Sequence, residues 1–207
     1  MKPESLKSLL LKGLVFLLIG SALWIFFRPF YSKLLVSVSQ EMLSLIQGEG
    51  KEKTSLKLER DMIVYIPVGL ISGEKKSTLA GKRDVRDIHY NSVILFVLIL
   101  FSPGLGLRKR GWALLTGLVL LFFTQVLTVL IQAKFMYVFQ LGEYSKAHYG
   151  AWDRNIYAFL KQFFELIGRF SFPIAIWMLF TYRETTEYLA GAKEAEPHKS
   201  GKGEGRK

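Results

Sequence analysis

Apolar residues are concentrated in four blocks along the chain, separated by polar or mixed segments. The blocks cover residues 9–27, 91–107, 111–132 and 156–181. A helix rises about 1.5 Å per residue, so roughly 20 apolar residues cross a hydrocarbon layer about 30 Å thick. We therefore predict a membrane protein of the all-α class with about four transmembrane helices.

The first block is followed by an amphipathic segment. Arg28 and Pro29 are expected to end the first span, because proline lacks the amide hydrogen that a helix interior needs. From Tyr31 to Gln47, apolar residues recur at helical spacing with polar residues between them. This pattern indicates an amphipathic helix, which is expected to lie along the membrane surface.

After the amphipathic helix the hydrophobic period changes to that of a strand. Leu56 and Leu58 alternate with charged residues, a β-branched run covers residues 62–66, and a further strand is expected near Val85–Tyr90. Residues 28–90 are therefore predicted to lie outside the cytoplasm and to consist of the amphipathic helix followed by a small strand-containing insert.

The basic residues predict how the helices are oriented. The N-terminal tail 1–8, the short turn 108–110 and the tail 182–207 are all locally basic, and short basic segments stay on the cytoplasmic side. We predict a multi-pass protein of the bacterial inner membrane with both ends in the cytoplasm. Residues 133–155 then form a second loop outside, and the last tail is expected to be disordered.

Charge and composition narrow the partners and the chemistry. The net charge of +11 suits a nucleic-acid binder, but the long apolar blocks point to lipid headgroups and against nucleic acid. The chain has no cysteine, which excludes thiol nucleophiles and cysteine-based metal sites. His89, His148 and His198 lack the spacing of metal ligands, so we predict no metal and no cofactor.

Three polar residues share one face of the third predicted span. Gln125, Thr128 and Gln132 lie at helical spacing within an apolar stretch, where unsatisfied polar groups are costly. They are interpreted as hydrogen-bonding groups between helices or, alternatively, as the polar wall of a binding groove.

His148 is the one candidate base in the second loop. Asp153 lies five residues further on, and Glu143 five residues before. A histidine and an acid can form a base and its orienting partner, but no nucleophile is recognisable nearby. The alternative interpretation is a histidine at the membrane interface.

The fourth span begins with a charged stripe. Lys161, Glu165 and Arg169 follow one another at intervals of four, so their alternating charges can pair on one helix face. The stripe either faces lipid headgroups or binds an acidic segment of a partner. Arg169 lies deepest and is retained as a candidate binding residue.

Between residues 30 and 180, an amphipathic helix is followed by strand-like sequence and by a helix over 91–101 that leads into Ser102-Pro103. A basic turn and a glycine-containing helix come next, as RKRGWALLTGL over residues 108–118, and His148 follows. This layout resembles that of the exosortase and archaeosortase membrane transpeptidases.

The resemblance implies a catalytic cysteine, arginine and histidine. The cysteine position falls near His89–Asn91 and the arginine position near Leu127 or Thr128, whereas His148 matches the histidine. Tyr90 and Thr128 cannot supply a thiolate and a cationic partner. The resemblance therefore implies a degenerate relative, like the exosortase-associated membrane proteins that accompany a genuine exosortase.

The leading hypothesis is a non-catalytic accessory protein that assists an exosortase, or its sorting-signal helices, at the outer face of the inner membrane. A groove between the second and third spans, lined by Gln125, Thr128 and His148, would contact the partner. One alternative is an active membrane protease or transpeptidase with a nucleophile other than cysteine and His148 as base. The other is a small transport or channel component.

Overall fold

A computed structural model gives the fold as mostly helical with one small antiparallel sheet. The structure describes residues 6–48, 52–68, 81–102 and 105–194. The elements in chain order are α1 (Leu6–Gln47), β1 (Lys53–Glu59), β2 (Met62–Val68), β3 (Gly81–Asp84), α2 (Val85–Phe101), α3 (Leu107–Phe139), α4 (Glu143–His148), α5 (Ala151–Gln162), a π-turn (Phe163–Ile167) and α6 (Gly168–Glu194).

Within the described residues, two helical runs have the length and hydropathy of membrane spans. They are α3 and the continuous run Ala151–Glu184, which joins α5, the π-turn and most of α6. Their most apolar windows are only 33% and 17% buried inside the protein. The core helix of a water-soluble protein is mostly buried, whereas these two runs leave most of their apolar windows exposed, as expected of membrane spans.

Helix α1 continues without a break through Pro29, so the prediction that Arg28 and Pro29 end the first helix is wrong. Proline removes one hydrogen bond from a helix, and packing elsewhere can offset that loss. Leu35 and Leu43, beyond the proline, are fully or almost fully buried against the rest of the protein. The predicted amphipathic helix is therefore the second half of α1.

The predicted strand character of residues 56–66 is confirmed, because β1 and β2 form a hairpin in which Glu59 pairs with Met62. β3 adds to the other edge of β2, giving the order β1-β2-β3. The strand predicted over Val85–Tyr90 is wrong, since these residues form the first turns of α2. Asp84 caps that helix, and its carboxylate accepts a hydrogen bond from the Arg86 amide.

Other predicted segment boundaries also differ from the helix bounds in the structure. Residues 108–110 form the first turn of α3 rather than a loop, and much of the predicted loop 133–155 is helical. Helix α6 continues to Glu194, so order extends well into the tail predicted to be disordered. Residues 1–5 and 195–207 of the predicted tails lie outside the described residues.

Buried apolar side chains form two separate cores. The sheet-end core joins the sheet to the second half of α1, the start of α2 and the end of α3, and consists of Leu35, Val36, Leu43, Leu56, Ile63, Tyr65, Val85, Ile88, Val126, Val129, Ala133, Met136, Tyr137 and Leu141. The turn-end core lies between α2, α3 and α6 near the α2–α3 connection, and consists of Leu95, Ile99, Ala113, Leu121 and Ile176.

Candidate functional site

A buried chain of hydrogen bonds links α1, α3 and α2 between the two cores. The Tyr31 hydroxyl donates to Gln125 Oε1 at 2.7 Å, and Gln125 Nε2 donates to Ser92 Oγ at 3.2 Å. Gln125 is 1% exposed and Ser92 is fully buried. In the structure, Gln125 therefore hydrogen-bonds between helices and does not line an open groove.

His89 lies one helical turn before Ser92 and extends this buried polar cluster. Its ring packs edge-on against Trp24, at 5.6 Å between ring centroids, and against Tyr31, at 4.9 Å. The side chain is 1% exposed, and neither ring nitrogen has a hydrogen-bond partner among the described residues. A buried imidazole in such surroundings is held in its neutral form, because burying an unpaired charge is costly.

Thr128 and Gln132 continue the polar face of α3 but do not join this cluster. The Thr128 hydroxyl donates to the Thr124 carbonyl of its own helix at 2.8 Å. Gln132 is 8% exposed, and its Oε1 has no partner within the described part of the chain. Gln125, Thr128 and Gln132, which the sequence predicts on one helix face, thus differ in their hydrogen bonding.

The charged stripe at the start of the fourth span forms ion pairs both within itself and with other elements of the fold. Lys161 and Glu165 pair at 3.2 Å, and Glu165 also accepts from Arg83 of β3 at 2.8 Å. Arg169 pairs instead with Asp87 of α2, at 3.2 Å. Glu165 and Arg169 nevertheless line one small cavity together with Arg83 and Asp87. The Arg83–Glu165 pair connects the sheet to the last helical run, and the Arg169–Asp87 pair connects α2 to it.

A second polar cluster surrounds Glu52, the residue just before β1. Its carboxylate pairs with Lys134 at 2.5 Å and accepts hydrogen bonds from the hydroxyls of Tyr144 and Tyr149. Burial by itself raises the pKa of Glu52, but the hydrogen bonds and the charge of Lys134 outweigh it, so the pKa lies below its usual value. Burial and the adjacent carboxylate raise the pKa of Tyr149.

His148 lies at the edge of the Glu52 cluster. Its ring stacks on Tyr144 at 4.1 Å, and its Nδ1 is 3.0 Å from the Tyr144 carbonyl. The side chain is exposed. His148 and Gln125, which the sequence places together in one groove, therefore contact different residues in different parts of the fold.

A groove of about 600 Å³ runs along α3 beside the Glu52 cluster. We call it the α3 groove. Aliphatic side chains of α1 and α3 form its walls, and one end is polar. Its lining residues are Leu43, Ile46, Gln47, Glu52, Leu127, Leu130, Ile131, Lys134, Tyr144 and Tyr157. The sequence analysis did not predict this groove, because its lining residues come from segments that are far apart in the chain.

Residues 3–184 match the family described as exosortase H-associated membrane protein. The chain belongs to this family. The resemblance to the exosortase-associated membrane proteins is thereby confirmed. No curated protein and no solved structure matches the chain.

In this family member, two of the positions where the resemblance places the catalytic cysteine and arginine, His89 and Thr128, are closed or already bonded, whereas Tyr90 and Leu127 are exposed. His89 is sealed between aromatic rings, and Thr128 is bonded to its own helix. Ser92, one helical turn after His89 on α2, is fully buried and accepts a hydrogen bond from Gln125. A nucleophile must reach its substrate, so this arrangement favours a structural role for the cluster.

Proposed function

We propose that this chain is a non-catalytic accessory subunit that acts beside an exosortase in the bacterial inner membrane. The observation that carries the proposal is a match to an exosortase-associated family over residues 3–184 in a chain that has no cysteine. The buried cluster around His89 and Gln125 supports it, because packed aromatic rings and hydrogen bonds surround these two side chains.

The proposed topology has four spans, over 9–27, 91–107, 111–132 and 156–181, with both ends in the cytoplasm. Helix α1 has 42 residues, so it is roughly 60 Å long, about twice the thickness of the hydrocarbon layer. Its second half then lies outside the bilayer together with the sheet.

Topology reporters fused after Gly50, Lys109 and Tyr144 test this arrangement. The fusions after Gly50 and Tyr144 are expected outside the cytoplasm, and the fusion after Lys109 inside it. A shared compartment for the Gly50 and Lys109 fusions would contradict the topology.

The α3 groove is the proposed contact surface for the outer end of a transmembrane helix of the exosortase. Its aliphatic walls continue into lipid-facing residues of α3 such as Phe123, which is 58% exposed. A helix with an apolar body fits the walls, and a polar group at its outer end meets Glu52 and Lys134. Transmembrane helices associate through close packing, so filling the groove should block the contact.

Ile46 and Ile25 offer a matched pair for this test, because both are exposed isoleucines of α1, at 67% and 70%. Ile46 lines the α3 groove, whereas Ile25 does not. Co-purification with a co-expressed exosortase in mild detergent is expected to fall at least fivefold for Ile46→Trp and to stay unchanged for Ile25→Trp.

Two results would count against the proposal. Failure of the wild-type chain to co-purify, together with normal protein sorting after its deletion, would end the accessory role. Equal loss in both tryptophan variants would keep the association and reject the α3 groove as its surface.

A further inference from the structure

A second cavity opens at the opposite end of the bundle, where α3 begins beside α6. We call it the turn-end pocket, and its volume is about 450 Å³. Its lining residues are Leu105, Arg108, Lys109, Trp112, Ala113, Thr116, Phe180 and Glu184. It shares no lining residue with the α3 groove.

The turn-end pocket combines an apolar wall with a cationic rim. Phe180 and Trp112 are part of the wall, and Trp112 is 64% exposed, as suits a side chain at the membrane interface. Lys109 on the rim pairs with Glu184 at 3.1 Å. Arg108 has no ion-pair partner among the residues that the structure describes, so the pocket keeps one uncompensated positive charge.

The lipid-facing surface continues around the pocket. Leu107, Leu115 and Leu179 are 87%, 57% and 71% exposed, and they lie beside the lining residues in sequence. A soluble anion would satisfy the rim but leave the apolar wall uncovered. An occupant with both an anionic group and a hydrocarbon chain covers both parts.

We propose that the turn-end pocket binds an anionic phospholipid. Arg108 holds the phosphate, because a guanidinium presents paired N–H donors that match phosphate oxygens. An acyl chain lies along Trp112 and Phe180. The proposal concerns a different surface from the exosortase contact and stands without it.

Tryptophan quenching by brominated lipid tests this proposal, since Trp112 lines the pocket. The full chain is reconstituted in phosphatidylcholine nanodiscs that contain either brominated phosphatidylglycerol or the same fraction of brominated phosphatidylcholine. Phosphatidylglycerol is expected to quench more strongly, and the excess should disappear in Trp112→Phe. Arg108→Gln should lower the apparent preference for phosphatidylglycerol about fivefold, the effect of one basic residue near the surface.

Lys57→Gln is the matched control, because Lys57 is an exposed cation on β1, at the sheet end. It is expected to leave the excess quenching unchanged. Equal quenching by the two lipids, an unchanged excess in Arg108→Gln, or an equal loss in Lys57→Gln would each overturn the proposal. Loss of the excess on adding inorganic phosphate would assign the pocket to a soluble anion and would also overturn it.

Discussion

The side chains around the two cores of this protein are buried to different degrees. The sheet-end core draws buried side chains from three helices and two strands, and hydrogen bonds cross it, such as that from the Tyr137 hydroxyl to the Lys53 carbonyl. The turn-end core lies between three helices, and exposed apolar side chains such as Leu115 and Leu179 surround it. The first resembles a water-soluble domain, and the second leaves much of its surrounding apolar surface exposed.

This difference changes what holds each region together. In water, burying apolar surface is the main stabilising effect. Within a bilayer, separated helices stay in an apolar solvent, so association depends on close packing and hydrogen bonds. The sheet-end core should therefore be sensitive to cavities, whereas the turn-end core should be sensitive to the distance between its helices.

The largest effect is expected from a cavity in the sheet-end core. Ile63 of β2 is fully buried, and Ile63→Ala should lower the free energy of unfolding by about 2–5 kcal/mol. Chemical unfolding in dodecyl maltoside, followed by circular dichroism, measures the change. Val119→Ala on α3, where the side chain is 49% exposed, is the control and should change it by less than about 0.5 kcal/mol. Similar losses in both would remove the distinction between the cores.

A smaller effect is expected from separating the helices of the turn-end core. A Cβ atom at Gly117 would lie 3.1 Å from Ile176 Cγ2 and 3.2 Å from Leu95 Cδ2, so the residue lets α3 approach both α6 and α2. Gly117→Leu should cost about 1–3 kcal/mol in the same unfolding measurement.

Gly111 of the same helix provides the control for this substitution. A Cβ atom there meets nothing within 4 Å among the described residues, and leucine favours a helix over glycine. Gly111→Leu should therefore be neutral or slightly stabilising. A loss equal to that of Gly117→Leu would show that close approach at Gly117 is unimportant.

The sequence predicts secondary structure best where the local pattern of apolar and polar residues is sufficient to specify it. The alternation around Leu56 and Leu58 gave the strand, and the apolar blocks gave the helices. The start of α2 was also readable, because Asp84 and Asp87 stand where a helix N-terminus favours acidic residues, but the β-branched residues nearby suggested a strand. The prediction that Pro29 helps to end the first helix was wrong, because packing of the second half of α1 determines whether that helix continues.

The candidate site was less predictable because it depends on contacts between distant segments. Glu52 and Lys134 are 82 residues apart, Glu52 in the predicted strand-containing region 28–90 and Lys134 in the predicted loop 133–155. Gln125 was recognised as a polar residue at membrane depth, but its partner Tyr31 lies 94 residues away. Periodicity shows which face of a helix is polar, but not which helix meets that face.

The smallest expected effect is a pH dependence confined to the sheet end, where Glu52 and Tyr149 form one network. The pKa of Glu52 is lowered from 4.5 in the folded protein, so its stabilising contribution is present above pH 4.5 and is lost as pH falls through the lowered pKa. The pKa of Tyr149 is raised from 10.0, so its contribution is present below pH 10 and is lost as pH rises further. Thermal unfolding in detergent should show a plateau between these limits.

Substitution of Glu52 separates this network from the other charges of the protein. Glu52→Gln should remove the acid decline due to Glu52 and weaken the alkaline one, because the carboxylate that raises the Tyr149 pKa is gone while burial remains. Glu143→Gln is the control, since that side chain is 90% exposed and pairs only with Lys146 three residues away among the described residues. Its profile should match the wild type, because exposed pairs contribute little. An unchanged acid decline in Glu52→Gln would locate the titrating group elsewhere and leave the sheet end with no special sensitivity to pH.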